Sequence, residues 1–131
     1  MSDSKLSSCA IILVIPNIEN TAKYYREILG FRVIEHYNHK EKIAAFYRDA
    51  VEILLIGSQF GTVKPNKEIY GAGYDAYFIP ESTTAVDAFY HEIKEKGAKI
   101  VQVPSIATYG SREFAFEDID GRLIGVGMRL N

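Results

Sequence analysis

The sequence feature that most constrains the fold is an internal duplication. Ala22–Ile28 (AKYYREI) is echoed by Asp87–Ile93 (DAFYHEI), and an apolar run ending in Ile-Pro precedes each segment, at Val14–Pro16 and at Phe78–Pro80. Similar segments in the same order along one chain indicate two copies of one supersecondary unit. The sequence therefore predicts a fold built from a repeated unit.

Each copy of the repeat reads as one helix followed by short strands. Apolar residues recur at helical spacing inside both echoed segments, and Asn17 and Thr84 are the predicted helix caps. Gly30 and Gly97 follow the last apolar positions, where a left-handed residue commonly ends a helix. The flanking runs are rich in Val, Ile, Tyr and Phe, which favours strands. Hairpin turns are predicted at two places, residues 37–40 and 119–122.

These elements predict an α+β fold of two tandem βαβββ modules that form a cupped mixed sheet within one domain, residues 1–131. The first module spans about 9–57 and the second about 74–128. The Gly- and Pro-containing segment 58–73 between them is predicted to be a connector.

Composition narrows the function classes. The 131 residues carry a formal net charge of −2, which argues against a nucleic-acid binder because such proteins concentrate basic residues. No apolar run approaches the roughly 20 residues of a membrane helix, and no secretory leader is recognisable. Cys9 is the only cysteine. It is predicted to be a small buried residue rather than a reactive thiol, and the setting is predicted to be the cytoplasm.

Four motifs carry a resemblance to a known family: Ile15–Ile18, Tyr24–Phe31, Tyr109–Phe114 and Phe116–Gly121. Together they resemble the glyoxalase/bleomycin-resistance/dioxygenase superfamily, also called vicinal oxygen chelate proteins. The resemblance covers nearly the whole chain. It departs from the family at Ile119, where the family favours proline. It implies two modules that enclose a pocket, and commonly a homodimer.

The resemblance also implies where a metal ion would be held. Metal-dependent members use the start of the first strand and the middle of the last strand of each module, usually with His, Glu or Gln. Those positions correspond here to Ala10, Leu55, Tyr74 and Gly125. Divalent ions need imidazole or carboxylate donors, which this set lacks. We therefore predict no metal site and no cofactor.

Other potential ligands are predicted to lie elsewhere. Glu52 and Asp75 are expected to point to the opposite strand face from the positions just named. His36, His39 and His91 are expected to be solvated or at an edge rather than metal ligands.

Aromatic residues supply the positive signal. Phe46, Phe78 and Tyr74 fall on or beside strands that would line the pocket, together with Tyr47, Tyr77, Phe114 and Phe116. Core packing is one interpretation of these rings, and a planar or hydrophobic ligand is the other. Arg112 and Glu113, near the pocket mouth, are candidates to orient a charged group, although an exposed ion pair is the alternative.

The preferred hypothesis is metal-independent binding or sequestration of a small aromatic or hydrophobic molecule by a homodimer, as in the bleomycin-resistance branch. The first alternative is a lyase, isomerase or dioxygenase with a displaced or degenerate metal site. The second is a purely structural or regulatory module, whose pocket would be filled by its own side chains.

Overall fold

The first half of the chain forms a four-stranded sheet with one helix. A computed structural model of the protein describes residues 3–37 and 42–130. The first-half elements are β1 (Ile11–Ile15), α1 (Ile18–Glu27), β2 (Arg32–Tyr37), β3 (Lys42–Arg48) and β4 (Val51–Gly57). The strand order is β1-β4-β3-β2, in which β1 is parallel to β4 and the other pairs are antiparallel.

The second half repeats this arrangement. Its elements are α2 (Asn66–Tyr70), β5 (Ala76–Phe78), α3 (Thr83–Glu95), β6 (Lys99–Ile106), β7 (Ser111–Glu117) and β8 (Leu123–Arg129). The strand order β5-β8-β7-β6 matches that of the first sheet, with β5 parallel to β8. The predicted α+β fold of two βαβββ modules is confirmed. The short helix α2 inside the predicted connector was not foreseen.

Local signals explain where the two long helices begin and end. Asn17 caps α1 by accepting a hydrogen bond from the Asn20 amide at 3.0 Å. The predicted cap of α3 at Thr84 is wrong, because Ser82 accepts from the Ala85 amide and the helix starts two residues earlier. Both hydroxyls precede an apolar helical pattern, so composition alone does not separate them.

Each sheet has one face covered by helices and one open face. In β1, Leu13 and Ile15 are buried, whereas Ile12 and Val14 are 57% and 43% exposed. Helix α1 contacts β2, β3 and β4, and α3 contacts β6, β7 and β8. The alternation of side chains along a strand therefore separates a helix-facing side from an open face in both sheets.

The two modules pack together on their helix-facing sides. The buried Tyr25 hydroxyl of α1 donates to Asp118 at 2.8 Å. Arg48 of the first module also makes a two-pronged ion pair with Glu92 of α3, at 2.6 and 3.0 Å. These contacts join the modules into one hydrophobic core and leave the open faces of both sheets outside it.

The structure also bears on the predicted turns, on Cys9 and on membrane-spanning helices. Asp118 shapes the turn at 119–122 by accepting hydrogen bonds from the amides of Asp120 and Arg122. The other turn, at 37–40, lies largely outside the described residues. Cys9 is exposed, contrary to the expected burial, because it precedes β1 instead of lying within it. No helix in the described part of the chain is long and apolar enough to cross a membrane.

Candidate functional site

Strand register decides which residues share the open faces. In the second sheet Gly125 pairs with Tyr77 of β5, and in the first sheet Leu54 pairs with Ile12 of β1. Each directly follows a fully buried isoleucine, Ile53 or Ile124, so Leu54 is the structural equivalent of Gly125. The predicted equivalent, Leu55, is fully buried on the helix-facing side, so this assignment is corrected by one residue.

The same register also changes the predicted correspondence between Ala10 and Tyr74. Ile11 and Ala76 are equivalent because they pair with the buried Ile53 and Ile124. Ala10, which directly precedes β1, therefore corresponds in register to Asp75 rather than to Tyr74.

Asp75 does not have a free carboxylate. Its side chain is only 1% exposed and pairs with Arg122 at 3.1 Å. It also accepts hydrogen bonds from the amides of Asn66 and Leu123, each at 3.0 Å. Both carboxylate oxygens are thus engaged in holding the start of the second module.

Three predicted site residues lie on the helix-facing side. Phe46 is fully buried against Tyr25, with ring centroids 5.4 Å apart. Phe78 packs against Phe31 and Phe116. The Arg112 guanidinium pairs with Asp87 of α3 instead of Glu113.

Three other predicted residues, Tyr74, Gly125 and Glu113, come together on the open face of the second sheet. A Cβ atom at Gly125 would lie 2.7 Å from Cδ1 of Tyr77 and 2.9 Å from Cε2 of Tyr74. The two tyrosine rings, with centroids 5.8 Å apart, therefore occupy the space that a side chain at position 125 would need. Gly127, two residues further along β8, lies against Glu113 and the Tyr77 hydroxyl in the same way.

Glu113 is the centre of this group, which we name the tyrosine–glutamate cluster (Tyr74, Tyr77, Tyr109, Ser111 and Glu113). Glu113 is 2% exposed. Oε1 accepts a hydrogen bond from the Tyr109 hydroxyl, and Oε2 is buried without a hydrogen-bond partner. The Tyr77 hydroxyl is 3.0 Å from the Ser111 hydroxyl.

The phenols of the cluster remain neutral at ordinary pH. Burial, followed by the charge of Glu113, raises the pKa of Tyr74. Burial is also the main reason that the pKa of Tyr77 is raised. The hydrogen bond to Glu113 is the main reason that the pKa of Tyr109 is raised. Of these three neutral phenols, Tyr109 donates to the Glu113 carboxylate, and Tyr74 and Tyr77 lie beside it.

Sequence reasoning missed the role of Tyr109 and placed Tyr77 only among general pocket aromatics. Tyr109 precedes β7 by two residues and reaches Glu113 four residues ahead. The only signal in the sequence is an aromatic residue just before a strand that carries carboxylates, Glu113 and Glu117, and it is a weak one.

The residues present do not fit the metal ion that metal-dependent members hold in the superfamily that the sequence resembles. By register the equivalent positions carry Ala10, Leu54, Asp75 and Gly125. Only Asp75 has a donor, and it is committed to Arg122 and the backbone. Within residues 3–37 and 42–130, no group of three His, Cys, Asp or Glu side chains is placed to hold a metal.

The remaining described candidate ligands, Glu52 and His91, also lie apart from the four positions just named. Glu52 lies on the face opposite Leu55, as expected, and that is the open face of the first sheet, across from Tyr47. His91 is exposed with its ring against Tyr90. The side chain of His36 and the whole of His39 fall outside the described residues.

The described residues also line two clefts outside the tyrosine–glutamate cluster. One, of about 420 Å³, lies between the modules and includes Phe31, Phe78, Ile79 and Phe89. The other, of about 590 Å³, is a charged basin that includes Arg48 and Glu92. Of the predicted pocket residues, Phe78 lines the first cleft and Tyr47 lines the second.

Comparison with known proteins assigns the family. A family model described as the Glyoxalase/Bleomycin resistance protein/Dioxygenase superfamily matches residues 5–126. The chain therefore belongs to this superfamily. No curated protein sequence matches it.

Many solved structures share the fold at low sequence identity. A glyoxylase/bleomycin resistance protein/dioxygenase domain from Frankia sp. EAN1pec is 19% identical with a TM-score of 0.75, covering 96% of this chain and all of that one. TioX from Micromonospora sp. ML1 is 16% identical with a TM-score of 0.64, covering 94% of this chain and all of that one. A virulence protein from Salmonella typhimurium is 23% identical with a TM-score of 0.64, covering 96% and 99%. These likenesses establish the fold alone.

Proposed function

We propose that this protein binds a small aromatic or hydrophobic molecule without a metal ion, in the manner of the bleomycin-resistance branch. The observation that carries the proposal is the replacement of a metal-ligand position by Gly125, with the rings of Tyr74 and Tyr77 lying against it. Aromatic rings on a sheet face offer a planar, apolar surface with polar hydroxyl tips, which suits a planar ligand.

The donor chemistry supports binding rather than vicinal-oxygen chemistry. A Lewis-acid mechanism needs a divalent ion held by several imidazole or carboxylate groups. The described cluster contains one carboxylate and three neutral phenols. Such a set can position and desolvate a ligand, but it is a poor ligand set for a divalent cation.

A homodimer is part of this proposal. The open face of the first sheet exposes several large aliphatic side chains: Ile12, Val14, Ile34 and Ile56. Apolar residues grouped in this way on one sheet face are typical of an association surface. A second copy that placed its second sheet against this face would also enclose a ligand bound at its own Gly125 and keep it from water. The absence of a cysteine pair agrees with a cytoplasmic setting, which we include in the proposal.

Binding is tested with the neutral fluorescent probe N-phenyl-1-naphthylamine and three alanine variants. We expect saturable binding by the unaltered protein and weaker binding by Tyr74→Ala. Tyr70→Ala, an exposed tyrosine on α2, is the matched control and should bind normally. Ile79→Ala, an exposed residue of the cleft between the modules, should also bind normally.

The outcomes separate the alternatives. Weaker binding in Ile79→Ala with normal binding in Tyr74→Ala would move the site to the cleft between the modules. No saturable binding by the unaltered protein would favour a structural module whose pocket is filled by its own side chains. Sedimentation equilibrium tests the dimer, and a monomer at micromolar concentration would contradict it.

A further inference from the structure

Glu113 presents a buried carboxylate oxygen, Oε2, that the described residues leave without a hydrogen bond, although the Tyr77 hydroxyl lies beside the carboxylate. The residue is 2% exposed, and Oε2 has no hydrogen-bond partner. Buried polar groups in folded proteins almost always have partners, so an exception needs a physical explanation. A buried carboxylate oxygen without a hydrogen bond is destabilising, so a ligand that supplies the missing hydrogen bond would bind favourably there.

No cation of the described residues neutralises this carboxylate. The ion pairs in residues 3–37 and 42–130 all involve other acids. Arg112, its neighbour in sequence, points to the opposite side of the sheet and pairs with Asp87. Arg129 is on β8 across from Ser111, but it is exposed and forms no ion pair with Glu113.

The groups around Glu113 suit an organic cation. The rings of Tyr74 and Tyr77 offer π faces, and a cation near such faces is attracted by the ring quadrupole. The two glycines of β8 keep the sheet beneath these rings free of side chains. Tyr109, which is 62% exposed on the loop between β6 and β7, contacts Glu113 from the solvent side.

We propose that the tyrosine–glutamate cluster is a subsite for an organic ammonium or amidinium group, and that the ligand joins this group to an aromatic or hydrophobic body. The cation donates a charge-assisted hydrogen bond to Oε2 of Glu113 and lies against the tyrosine rings. This inference rests on the proposed small-molecule function and specifies the class of ligand. A divalent metal ion does not meet the same description, because only one anionic donor is present.

The test uses four probes with one ring and different charge: benzylamine and benzamidine as cations, benzyl alcohol as the neutral match, and benzoate as the anion. Binding is followed in the full chain by amide NMR shifts at pH 7, with the Gly125 and Gly127 signals reporting on the cluster. We expect the cations to bind about tenfold more tightly than benzyl alcohol, as a charge-assisted hydrogen bond provides. Benzoate should bind most weakly.

Two variants that each remove one carboxylate charge test whether Glu113 causes the preference for cations. Glu113→Gln keeps the size of the side chain and should bind all four probes with similar affinity. Glu117→Gln is the matched control, since Glu117 lies on the same strand and pairs with Lys99 outside the cluster. It should keep the tenfold preference for cations.

The outcomes distinguish this inference from the function on which it rests. Equal affinity of the unaltered protein for benzylamine and benzyl alcohol would overturn the cation subsite and leave small-molecule binding intact. A cation preference that persists in Glu113→Gln would also overturn it. If no probe binds the unaltered protein, the proposed function fails together with the subsite. If Glu113→Gln does not fold, the charge preference of the unaltered protein alone decides.

Discussion

Replacing Tyr25 with phenylalanine tests the contact that joins the two modules. The Tyr25 hydroxyl donates to Asp118 at 2.8 Å, and both residues are buried. A hydrogen bond to a charged group contributes about 1.5–3 kcal/mol, and phenylalanine preserves the ring contacts with Phe31 and Phe46. We expect Tyr25→Phe to lower the free energy of unfolding by about 2 kcal/mol at pH 8.

The loss should depend on pH because of the state of Asp118. Burial raises the pKa of Asp118 from 3.8 to about 6, so the carboxyl is neutral at pH 4 and charged at pH 8. A neutral pair contributes only about 0.5–1.5 kcal/mol, so the loss should be smaller at pH 4. Because the folded pKa lies above the unfolded value, the contribution of Asp118 to stability is full below about pH 4 and declines as pH rises through 6.

The assay is urea unfolding followed by circular dichroism at both pH values. With a slope of about 2 kcal/mol per molar urea, the midpoint should fall by about 1 M at pH 8 and by less at pH 4. The matched background is Asp118→Asn, in which Tyr25→Phe should cost less at pH 8. An equal loss at both pH values, or a loss below about 0.5 kcal/mol at pH 8, would show that the Tyr25–Asp118 hydrogen bond does not stabilise the module contact.

Three further substitutions test other parts of the structure by the same unfolding assay. Ser82→Ala removes the cap of α3 and should cost about 1 kcal/mol, whereas Thr84→Ala should cost less than half as much; the reverse order would restore the cap predicted from sequence. Gly127→Ala places a methyl group against the Glu113 side chain on the neighbouring strand and should cost about 1–3 kcal/mol. An unchanged midpoint would contradict this close packing. Glu92→Gln breaks the partly exposed pair with Arg48 and should cost about 1 kcal/mol or less, with a smaller loss in 1 M salt; a loss that ignores salt would show that charge is not its cause.

The repeat predicted the architecture because it reports hydrophobic periodicity, which is the strongest secondary-structure signal. Asn17 and Gly30 were also readable, since a cap and a left-handed glycine each have a local chemical reason. Helix α2 could not be predicted, because five residues without a buried side chain leave no periodic pattern.

Strand register was the main point at which the sequence was insufficient. Leu54 and Leu55 are the same residue type, so composition does not show which one faces the helix. The Ile-Pro echo also misled, because Ile15 ends β1 whereas Ile79 lies one residue beyond the end of β5. A slip of one residue exchanges the two faces of a strand.

The burial of Glu113 could not be predicted for a related reason. It depends on a glycine across the strand pair and on a tyrosine from the preceding loop. These neighbours are set by tertiary packing rather than by local pattern. The sequence identified Glu113 as a candidate but assigned Arg112 to the same site, and the structure places that side chain on the other face of the sheet.

The central claim, that this site works without a metal ion, is tested most directly by elemental mass spectrometry. The protein is purified without an affinity tag or chelator, and measured again after incubation with nickel, zinc, manganese and iron(II). We expect less than about a tenth of an ion per chain and no rise in melting temperature, since a bound ion would raise stability by mass action. One ion per chain with a higher melting temperature would contradict it and make the metalloenzyme alternative primary.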